Sequence, residues 1–445
     1  MKEVVVVGAG PAGMAAADAA AKAGCRVLLI DSAARLGGQY HRQDSLLDKE
    51  KFTPHRNVER LTETTVTALE PVGPGHRLHL RTGPADGPQR TARYVDTAAL
   101  VLATGAHDRA LPFPGWDLPG VYTAGAAQAL AKGQRVAVGK RVLLAGTGPF
   151  LLPVAASLLD VGARIAGVLE ANGAVAGWLR TPSAVFAGRR KTAELAGYLR
   201  TLAAHRVPYR ARSTVLAAHG RDRVEAVTTA RLDHGWRVRR GTERRVEVDA
   251  VCAGFGFVPQ LELAVSAGCV LADGFVAVNT AQATSVPGVF AAGELTGVGG
   301  ADLAAAEGTV AGLAAACSLG APVDVPRRAL RRVRAGRVFA EGLGRAYPVR
   351  AGWRTWPDDE TLVCRCEEVT CRELRESVER RDVLGVRSLK LVSRAGLGMC
   401  QGRICGRNVA ELAGVPSDGF ARRPLAAPIR LGELSDVESP WEGKA

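Results

Sequence analysis

The sequence predicts an α/β fold in which one sheet-and-helix domain is inserted into another, followed by a small helical domain at the C-terminus. Two stretches repeat the order apolar strand, glycine-rich turn, helix and second strand, at 1–31 and at 141–170. This order is that of a βαβ unit in a parallel sheet covered by helices. Five of the nine cysteines lie between Cys364 and Cys405. Such clustering indicates a metal site rather than disulfides in an intracellular chain.

Size and composition are those of a globular protein with two or three domains. The chain has 445 residues, of which 47% are hydrophobic and 23% charged, enough to form sizeable cores. No apolar run approaches the length of a membrane span. The run Val4–Val7 is too short for a signal-peptide core and leads straight into glycines. We therefore expect a cytoplasmic protein.

The chain is basic, with a formal net charge of +14. No nucleic-acid recognition module and no interleaving of basic and aromatic residues is present in the sequence, so we expect no nucleic-acid partner. Six arginines between Arg327 and Arg337 follow helical spacing. They indicate either a solvated helix face or a surface that docks an acidic partner.

The first βαβ unit carries a complete dinucleotide-binding pattern. After the apolar run, Gly8 permits a tight turn, Gly10 lets the backbone approach a pyrophosphate, and Gly13 allows close packing of helix and sheet. The helix that follows directs its N-terminal N–H groups at the phosphates. Asp31 ends the next strand and can bind the ribose of an adenosine. A glycine turn without a ligand is the alternative.

Further along the chain, the sequence resembles flavoproteins with two dinucleotide-binding domains, the pyridine nucleotide-disulfide oxidoreductase type. In that family a Gly-Gly pair, here Gly37-Gly38 with Gln39, lies along the FAD pyrophosphate and ribityl chain. Val66 occupies the place of a backbone contact to adenine, and the strand 99–103 ends in Thr104-Gly105, like the motif that closes the first FAD segment. Taken alone, Thr104-Gly105 could equally be an ordinary strand end.

The chain then returns to the first domain. Gly293-Glu294 stands where these flavoproteins place Gly-Asp, whose acid binds the ribityl hydroxyls; glutamate is one methylene longer. The helix 301–316 would present its N-terminus to the flavin pyrimidine. By resemblance the FAD site comprises Gly8, Gly10, Ala12, Gly13, Asp31, Gly38, Gln39, Val66, Thr104, Gly105, Gly293 and Glu294.

The second βαβ unit departs from the pattern at one position. Its turn contains Gly146 and Gly148, but Leu151 replaces the third glycine. Glu170 ends the next strand and would favour a 2′-hydroxyl, hence NAD over NADP. The sequence leaves open whether this second site binds NAD or another adenine nucleotide, or is vestigial.

Four of the clustered cysteines form the pattern CxC followed by CxxxxC. They are Cys364, Cys366, Cys400 and Cys405, and four thiolates suit either zinc or an iron–sulfur cluster. The surrounding sequence resembles the bacterioferritin-associated ferredoxin-like [2Fe–2S] domain, which implies that these four hold a [2Fe–2S] cluster. Zinc and an empty site are the alternatives. Cys371 lies outside the pattern and is expected to be structural.

Taken together, the chain resembles the large subunit of heteromeric, dye-linked amino-acid or opine dehydrogenases. That family includes an opine oxidase subunit, the D-hydroxyproline dehydrogenase FAD subunit, and the hydrogen cyanide synthase middle subunit. The resemblance implies a D-amino-acid-oxidase-type flavoprotein partner, an FMN at a subunit interface and a small ferredoxin-like subunit. Membrane contact would be peripheral, through an electron acceptor. The chain would pass electrons from the partner's oxidation of proline, hydroxyproline, glycine or an opine to that acceptor.

The resemblance also sets the expected domain boundaries. We expect an FAD domain at 1–115 and 266–325, an inserted second dinucleotide domain at 116–265, a basic helical linker at 326–359, a [2Fe–2S] domain at 360–415 and a tail at 416–445. No CxxC pair flanks either glycine turn and no nucleophile with a positioned base is visible, so no catalytic residue is assigned. A stand-alone NAD(P)H-dependent oxidoreductase and a nucleotide-binding scaffold without redox role are the alternatives.

Overall fold

The structure is a computed structural model that describes residues 3–41, 52–85, 87, 89–173, 177–178, 181–188, 191–380, 383–436 and 438–441. The chain divides into two compact units. Unit 1 comprises Met1–His107, Pro259–Ala340 and Ala421–Ala445, and unit 2 comprises Asp108–Val258 and Glu341–Phe420. Unit 2 therefore interrupts unit 1 along the chain. The sequence also predicts a polar loop at 40–56 and an irregular basic stretch at 180–190. Both lie partly outside the described residues, and in their described parts the predictions are wrong where Gly38–His41 and Pro182–Ala187 form helices.

Unit 1 is built on a five-stranded parallel sheet. Its strands are β1 (Glu3–Val7), β2 (Arg26–Ile30), β3 (Val58–Leu61), β7 (Leu100–Leu102) and β20 (Val289–Ala291). They lie in the order β20-β7-β1-β2-β3, and every neighbouring pair is parallel. Most of the residues in these strands are buried, as expected for a parallel sheet with both faces covered. The strand predictions at Val4–Val7 and 27–30 are confirmed.

Two helices of small residues cover one face of this sheet. These are α1 (Pro11–Lys22), which follows β1, and α8 (Ala301–Ser318), which follows β20. A Cβ added at Gly308 would lie 2.0 Å from the carbonyl oxygen of Ala12, and one at Gly312 would lie 2.2 Å from that of Ala16. The two helix backbones are therefore in direct contact, and both helices begin beyond the carboxyl ends of parallel strands.

A second, antiparallel sheet in unit 1 takes up the C-terminal segment. Its strands are β4 (Thr64–Val72), β5 (Gly75–Thr82), β6 (Thr91–Thr97) and β23 (Ser439–Pro440), in the order β23-β6-β5-β4. The strand-like stretches 77–80 and 91–95, on either side of a Gly/Pro-rich turn, predict an antiparallel pair, and the structure confirms it. Strand β23 pairs in parallel with β6, so the segment expected as a tail is part of a sheet. Unit 1 also contains α2 (Gly38–His41), α7 (Glu262–Ser266), β18 (Leu271–Ala272) and β19 (Phe275–Val276).

Unit 2 repeats the parallel sheet. Its strands are β9 (Val121–Thr123), β10 (Arg141–Gly146), β11 (Arg164–Glu170), β12 (Tyr209–Ala211) and β16 (Ala250–Gly254), in the order β12-β11-β10-β16-β9. The helices of this part are α3 (Ala124–Gln134), α4 (Leu151–Asp160), α5 (Pro182–Ala187) and α6 (Lys191–Ala204). The second βαβ unit predicted from the sequence is thus confirmed as β10–α4–β11.

An antiparallel sheet and an aromatic cluster complete this part of unit 2. The sheet contains β13 (Ser213–His219), β14 (Ala226–Arg231) and β15 (Arg244–Glu247). Trp236 and Trp356 stack with ring centroids 5.7 Å apart, and the Trp356 indole donates a hydrogen bond to the Trp236 carbonyl oxygen. The short strands β8 (Ala106–Asp108) and β17 (Phe257–Pro259) lie where the chain passes between units.

The cysteine-bearing region of unit 2 has its own small core. It consists of a hairpin, β21 (Leu362–Cys364) and β22 (Val369–Thr370), and three helices, α10 (Cys371–Arg380), α11 (Val386–Ser393) and α12 (Gly406–Ala413). Val363, Leu374, Leu389, Val409 and Phe420 form its buried centre. These elements lie within the range 360–415, and Phe420, outside it, joins their buried centre.

The region expected as a basic linker is mostly one helix, α9 (Arg327–Ala346), followed by a 3-10 turn at Ala351–Thr355. Val333 on this helix is buried in unit 1. Arg337 donates a hydrogen bond to the buried Glu307, so it does not share the exposure of the other arginines. The exposed arginines are Arg327, Arg328, Arg331, Arg332 and Arg334.

Candidate functional site

The first glycine turn joins β1 to α1 in unit 1. A Cβ at Gly8 would lie 2.3 Å from the Ala103 carbonyl oxygen, and one at Gly13 would lie 1.7 Å from that of Gly8. Gly8 also has a φ of +102°, a conformation that other residues rarely adopt. These two glycines are therefore required by the turn's own packing, as the sequence pattern predicts.

Gly10 has a different environment, because it borders open space. The nearest atom to a Cβ built there is the Gly38 Cα, at 4.0 Å. Gly10 is the N-cap of α1, and no side chain caps the helix. Pro11 and Ala12 begin the helix, so its N-terminal backbone faces outward beside Gly38, and Gln39 follows in α2. Among the described residues, no side chain caps this helix end, and a phosphate could approach it.

Asp31 follows directly on β2 and is held against the same turn. Its Oδ2 accepts a hydrogen bond from the Ala9 backbone N–H at 2.5 Å, and its Oδ1 accepts one from Ala33 at 2.7 Å. Burial raises the pKa of the Asp31 carboxyl, while these backbone hydrogen bonds lower it. Each oxygen keeps a further lone pair for a hydroxyl donor.

The remaining residues of the predicted FAD site have structural partners of their own. Thr104 Oγ1 donates to the Gln260 carbonyl oxygen at 2.9 Å, and the Gln260 backbone N–H donates to the Gly105 carbonyl oxygen at 3.0 Å. Glu294, expected to bind ribityl hydroxyls, accepts the Gly300 N–H with Oε1 at 2.8 Å, at the N-cap of α8. Val66 is buried in β4.

The sequence pattern did not identify Glu307, a buried acid in unit 1 whose carboxylate accepts three hydrogen bonds. Its Oε2 accepts hydrogen bonds from the Gly293 N–H at 3.0 Å and from Thr296 Oγ1 at 2.8 Å, and its Oε1 accepts one from Arg337 at 3.0 Å. Arg337 also donates to the Gln282 side-chain oxygen. The available signal was a glutamate in a helix in which ten of the eighteen residues are alanine or glycine. Such a residue needs a buried partner.

The second glycine turn lies in unit 2, between β10 and α4. A Cβ at Gly146 would lie 1.7 Å from the Gly254 carbonyl oxygen, whereas one at Gly148 meets no described atom within 4 Å. Leu151, at the place of the third glycine, is buried at the first position of α4. This turn is therefore tightly packed at Gly146 and open at Gly148, just as the first turn is packed at Gly8 and open at Gly10.

The Glu170 side chain packs against this turn and is almost fully buried, with 1% of its surface exposed. Oε1 accepts hydrogen bonds from Thr147 Oγ1 at 2.7 Å and from the Asn172 N–H at 2.8 Å, and Oε2 accepts one from the Gly148 N–H at 2.8 Å. Asn172 in turn accepts a hydrogen bond from the Trp236 indole. The carboxylate expected to bind a ribose therefore serves as an acceptor for the turn itself.

We expect Glu170 to make the stability of unit 2 depend on pH. Burial raises its pKa from 4.5 to about 7, against three hydrogen bonds that lower it. Because the folded value lies above the unfolded value, its contribution decreases as pH rises between these two values, by about 3 kcal/mol in total. Glu170→Gln should remove this decrease.

Thermal unfolding of the full chain at several pH values between 5 and 8 measures this effect. The melting temperature of the wild type minus that of Glu170→Gln should decrease as pH rises. Other titrating groups, including Asp31, contribute equally to both proteins and cancel in the difference. Parallel pH profiles would show that Glu170 is not buried as a titrating acid.

The structure brings the four predicted cysteine ligands into contact in unit 2. Cys405 Sγ lies 3.6 Å from Cys364 Sγ, and Cys400 hydrogen-bonds to both Cys405 and Cys366. These contacts link the CxC and CxxxxC segments. Among the described residues no group of three or more His, Cys, Asp or Glu side chains is arranged to hold one metal ion.

The four cysteines differ in exposure and in thiol acidity. Cys364 and Cys405 are buried, Cys400 is half-buried and Cys366 is exposed. The hydrogen bond from Cys405 lowers the pKa of Cys364 to about 6 and that of Cys400 to about 4, and the pKa of Cys405 is raised in return. The thiolate is the form that binds metals, and a low pKa favours it. Cys371 is buried and its pKa is raised by burial, as expected for a structural thiol.

Three polar contacts fix the cysteine-bearing region within unit 2. The Trp116 indole donates to the Leu362 carbonyl oxygen at 2.6 Å, two residues before Cys364. Arg109 forms a largely buried ion pair with Glu411 at 2.7 Å, and the Asn408 side-chain amide donates to the Ala110 carbonyl oxygen at 2.5 Å. The region is therefore anchored through both its hairpin and its last helix.

Across the described ranges, no helix combines the length and the apolar character needed to span a bilayer.

Comparison of sequences places the chain among known oxidoreductases. The family model described as pyridine nucleotide-disulphide oxidoreductase matches residues 2–308. An opine oxidase subunit of Rhizobium meliloti (strain 1021) is 33% identical over 471 aligned residues, which cover 98% of this chain and 99% of that protein. Hydrogen cyanide synthase subunit HcnB of Pseudomonas protegens is 31% identical, covering 90% of this chain and 89% of that protein.

Comparison of structures supports the fold. L-proline dehydrogenase from P. horikoshii aligns with a TM-score of 0.65 at 18% identity, covering 98% of this chain and 79% of that one. Putidaredoxin reductase, from its covalent complex with putidaredoxin, aligns with a TM-score of 0.52 at 22% identity, covering 73% and 77%. The chain therefore belongs to the pyridine nucleotide-disulphide oxidoreductase family and is an FAD-dependent oxidoreductase, related over nearly its whole length to an opine oxidase subunit.

Proposed function

We propose that this chain is the flavin and iron–sulfur electron-transfer subunit of a heteromeric amino-acid or imino-acid dehydrogenase. Its substrates would be of the opine, hydroxyproline, proline or glycine type. The relatives that match it end to end are named as subunits of opine oxidase and of hydrogen cyanide synthase. The proposal adds to that family membership the direction of electron flow and the partner.

The observation that carries the proposal is the contact between the CxC and CxxxxC cysteines. Their four sulfurs are the whole donor set of a [2Fe–2S] cluster, and the contacts that join them span both segments. Zinc, the alternative, would use the same four thiolates around a single ion. The residues present therefore fit the cluster in number, type and proximity, and Cys364, Cys366, Cys400 and Cys405 would hold it.

Unit 1 likewise suits FAD. The open backbone around Gly10 and Gly38 would receive the pyrophosphate, with the uncapped N-terminus of α1 supplying N–H donors. Asp31 would accept from the ribose, and Glu294 and the N-terminus of α8 lie in the segment that the family uses for the ribityl chain and pyrimidine. A bound flavin accepts two electrons as hydride, whereas a [2Fe–2S] cluster passes them singly.

The oxidation of substrate is assigned to a partner. The sequence offers no nucleophile with a positioned base, and the acids built into the two glycine turns accept backbone hydrogen bonds. We therefore infer that a D-amino-acid-oxidase-type flavoprotein subunit oxidises the C–N bond. An FMN at the subunit interface and a small ferredoxin-like subunit belong to the same proposal, as does a cytoplasmic location.

A stand-alone NAD(P)H-dependent oxidoreductase is the second candidate. The open space above Gly148 in the second βαβ unit favours it, since a nucleotide phosphate could approach there. The burial of Glu170 argues against it, because that carboxylate is only 1% exposed and accepts three hydrogen bonds within the turn, so it is not placed to distinguish a ribose 2′-hydroxyl from a 2′-phosphate.

The proposal is tested on the native complex. We expect the tagged chain, purified from its own cells, to retain one stoichiometric second flavoprotein of the D-amino-acid-oxidase type, identified by mass spectrometry. That complex should reduce an artificial dye with proline, hydroxyproline, glycine or an opine, and the chain freed from its partner should not.

The alternatives give different outcomes in the same preparation. A chain that purifies alone and whose flavin absorbance is bleached by NADH would replace the proposal with the NAD(P)H-dependent enzyme. A chain that purifies without flavin or iron would indicate a nucleotide-binding scaffold. Flavin and iron contents are therefore measured before activity.

A further inference from the structure

The turns around the proposed cluster carry an exposed apolar surface. We name it the apolar rim and define it as Leu397, Met399 and Ile404. All three side chains are exposed, Met399 to 88%. Single exposed apolar side chains are common on protein surfaces, but a group of them marks an interaction site.

The rim surrounds the more accessible cysteines. A Cβ added at Gly398, between Leu397 and Met399, would lie 2.5 Å from the Cβ of Cys366. Met399 is the neighbour of the half-buried Cys400, and Ile404 is the neighbour of Cys405. The exposed side of the four-cysteine group, which contains Cys366, is therefore bordered by the rim.

The charge around the rim is predominantly positive. The segment 384–407 contains five basic residues and no acidic residue. Two acids of the CxC hairpin adjoin it, Glu367 and Glu368, and Glu367 forms an ion pair with Arg394 at 2.8 Å. The basic residues of the segment are Arg387, Lys390, Arg394, Arg403 and Arg407. The surface thus combines an apolar centre with a basic border.

We propose that the apolar rim is the docking surface for an acidic electron-carrier protein. The inference rests on the proposed function, because it takes the four cysteines as cluster ligands. Apolar side chains at the centre exclude water between two redox proteins, and the basic border steers an acidic partner to the exposed side of the cysteines. Redox encounters of this kind use small interfaces, below about 1,200 Å², so a few apolar side chains suffice for the centre of one.

The observations favour a protein over a lipid surface as the occupant. The rim lies on turns between α11 and α12, whereas membrane-surface binding generally uses the continuous apolar face of an amphipathic helix. An anionic membrane nevertheless shares the same charge, so vesicles form one arm of the test.

The experiment measures binding of the full chain to a strongly acidic plant-type [2Fe–2S] ferredoxin, by titration calorimetry. We expect binding that weakens by about tenfold or more between about 50 mM and 300 mM salt. Met399→Glu should raise Kd by about tenfold, because it places a charge at the apolar centre facing an acidic partner. Flavin and iron contents of each variant are measured alongside.

The matched control is Leu431→Glu, since Leu431 is 86% exposed in unit 1; its Kd should equal that of the wild type. An unchanged Kd for Met399→Glu would overturn the proposal. Binding to phosphatidylglycerol vesicles but not to ferredoxin would also overturn it. This experiment measures Kd and not turnover. Failure of the amino-acid dehydrogenase assay and failure of docking are therefore separate results.

Discussion

Cys366→Ser is expected to abolish the rhombic EPR signal of the reduced protein while leaving the flavin absorbance unchanged. Serine removes one of four thiolate ligands, and an oxygen at that position is a poorer ligand for a cluster that proteins hold through thiolates. Cys366 is exposed, whereas Cys364 and Cys405 are buried. The substitution therefore introduces no buried polar group, and loss of the signal reports ligation rather than unfolding. Iron content should fall together with the signal.

Cys317→Ser is the matched control, because Cys317 is also exposed but lies in α8 of unit 1. Its EPR signal and iron content should equal those of the wild type. If the signal survives Cys366→Ser at full intensity, the ligand assignment is wrong. If the wild type contains zinc in place of iron, the same four residues would be a structural zinc site and the electron-transfer role would be lost with it.

The sequence predicts the parts of this protein that depend on short-range chemistry. Gly8 and Gly13 are identifiable because a tight turn between strand and helix tolerates no side chain, and the structure places backbone atoms within 2.3 Å and 1.7 Å of a Cβ there. Cysteine spacing was equally informative: the structure brings Cys364 and Cys405 together. Each motif is recognisable from residue types at short fixed spacings, although the contacts join residues as far apart as Cys364 and Cys405.

The sequence did not reveal hydrogen bonds between residues that lie far apart along the chain. Glu307 accepts hydrogen bonds from Gly293 and from Arg337 on another helix, and no local sequence pattern predicts these donors. Glu170 illustrates a different limit. Its position at the end of a strand predicted ribose binding, but the choice between a ligand and the turn's own N–H groups depends on burial, which the pattern does not contain.

The C-terminal segment is the clearest case, and it gives the largest expected change in stability. Arg90 and Glu433 form a two-pronged ion pair, with Nε to Oε1 at 2.7 Å and Nη2 to Oε2 at 2.6 Å. Their side chains are only 4% and 6% exposed. Arg81 adds hydrogen bonds to the Glu433 carbonyl oxygen and to Glu438. These contacts hold the segment that carries β23 against the antiparallel sheet of unit 1.

We expect Glu433→Ala to lower the free energy of unfolding of unit 1 by about 3–5 kcal/mol, because it leaves the Arg90 guanidinium buried without its counter-charge. The ion pair with Arg90 lowers the pKa of Glu433 to about 2. Since this value lies below the unfolded one, the stabilisation is present above pH 4.5 and is lost as pH falls towards 2. Urea unfolding at pH 7 and pH 3 should therefore show a smaller difference between wild type and variant at pH 3.

Limited proteolysis separates loss of the C-terminal segment from general unfolding. In Glu433→Ala, trypsin should cleave first at Arg422, Arg423 or Arg430, while the parallel sheet of unit 1 stays protected. The control is Glu360→Ala, which removes an exposed ion pair with Arg372 and should cost at most about 1 kcal/mol. Equal effects of the two substitutions would mean that the Arg90–Glu433 pair is not buried in solution. A long-range ion pair at the chain's end would then contribute no more than a surface contact.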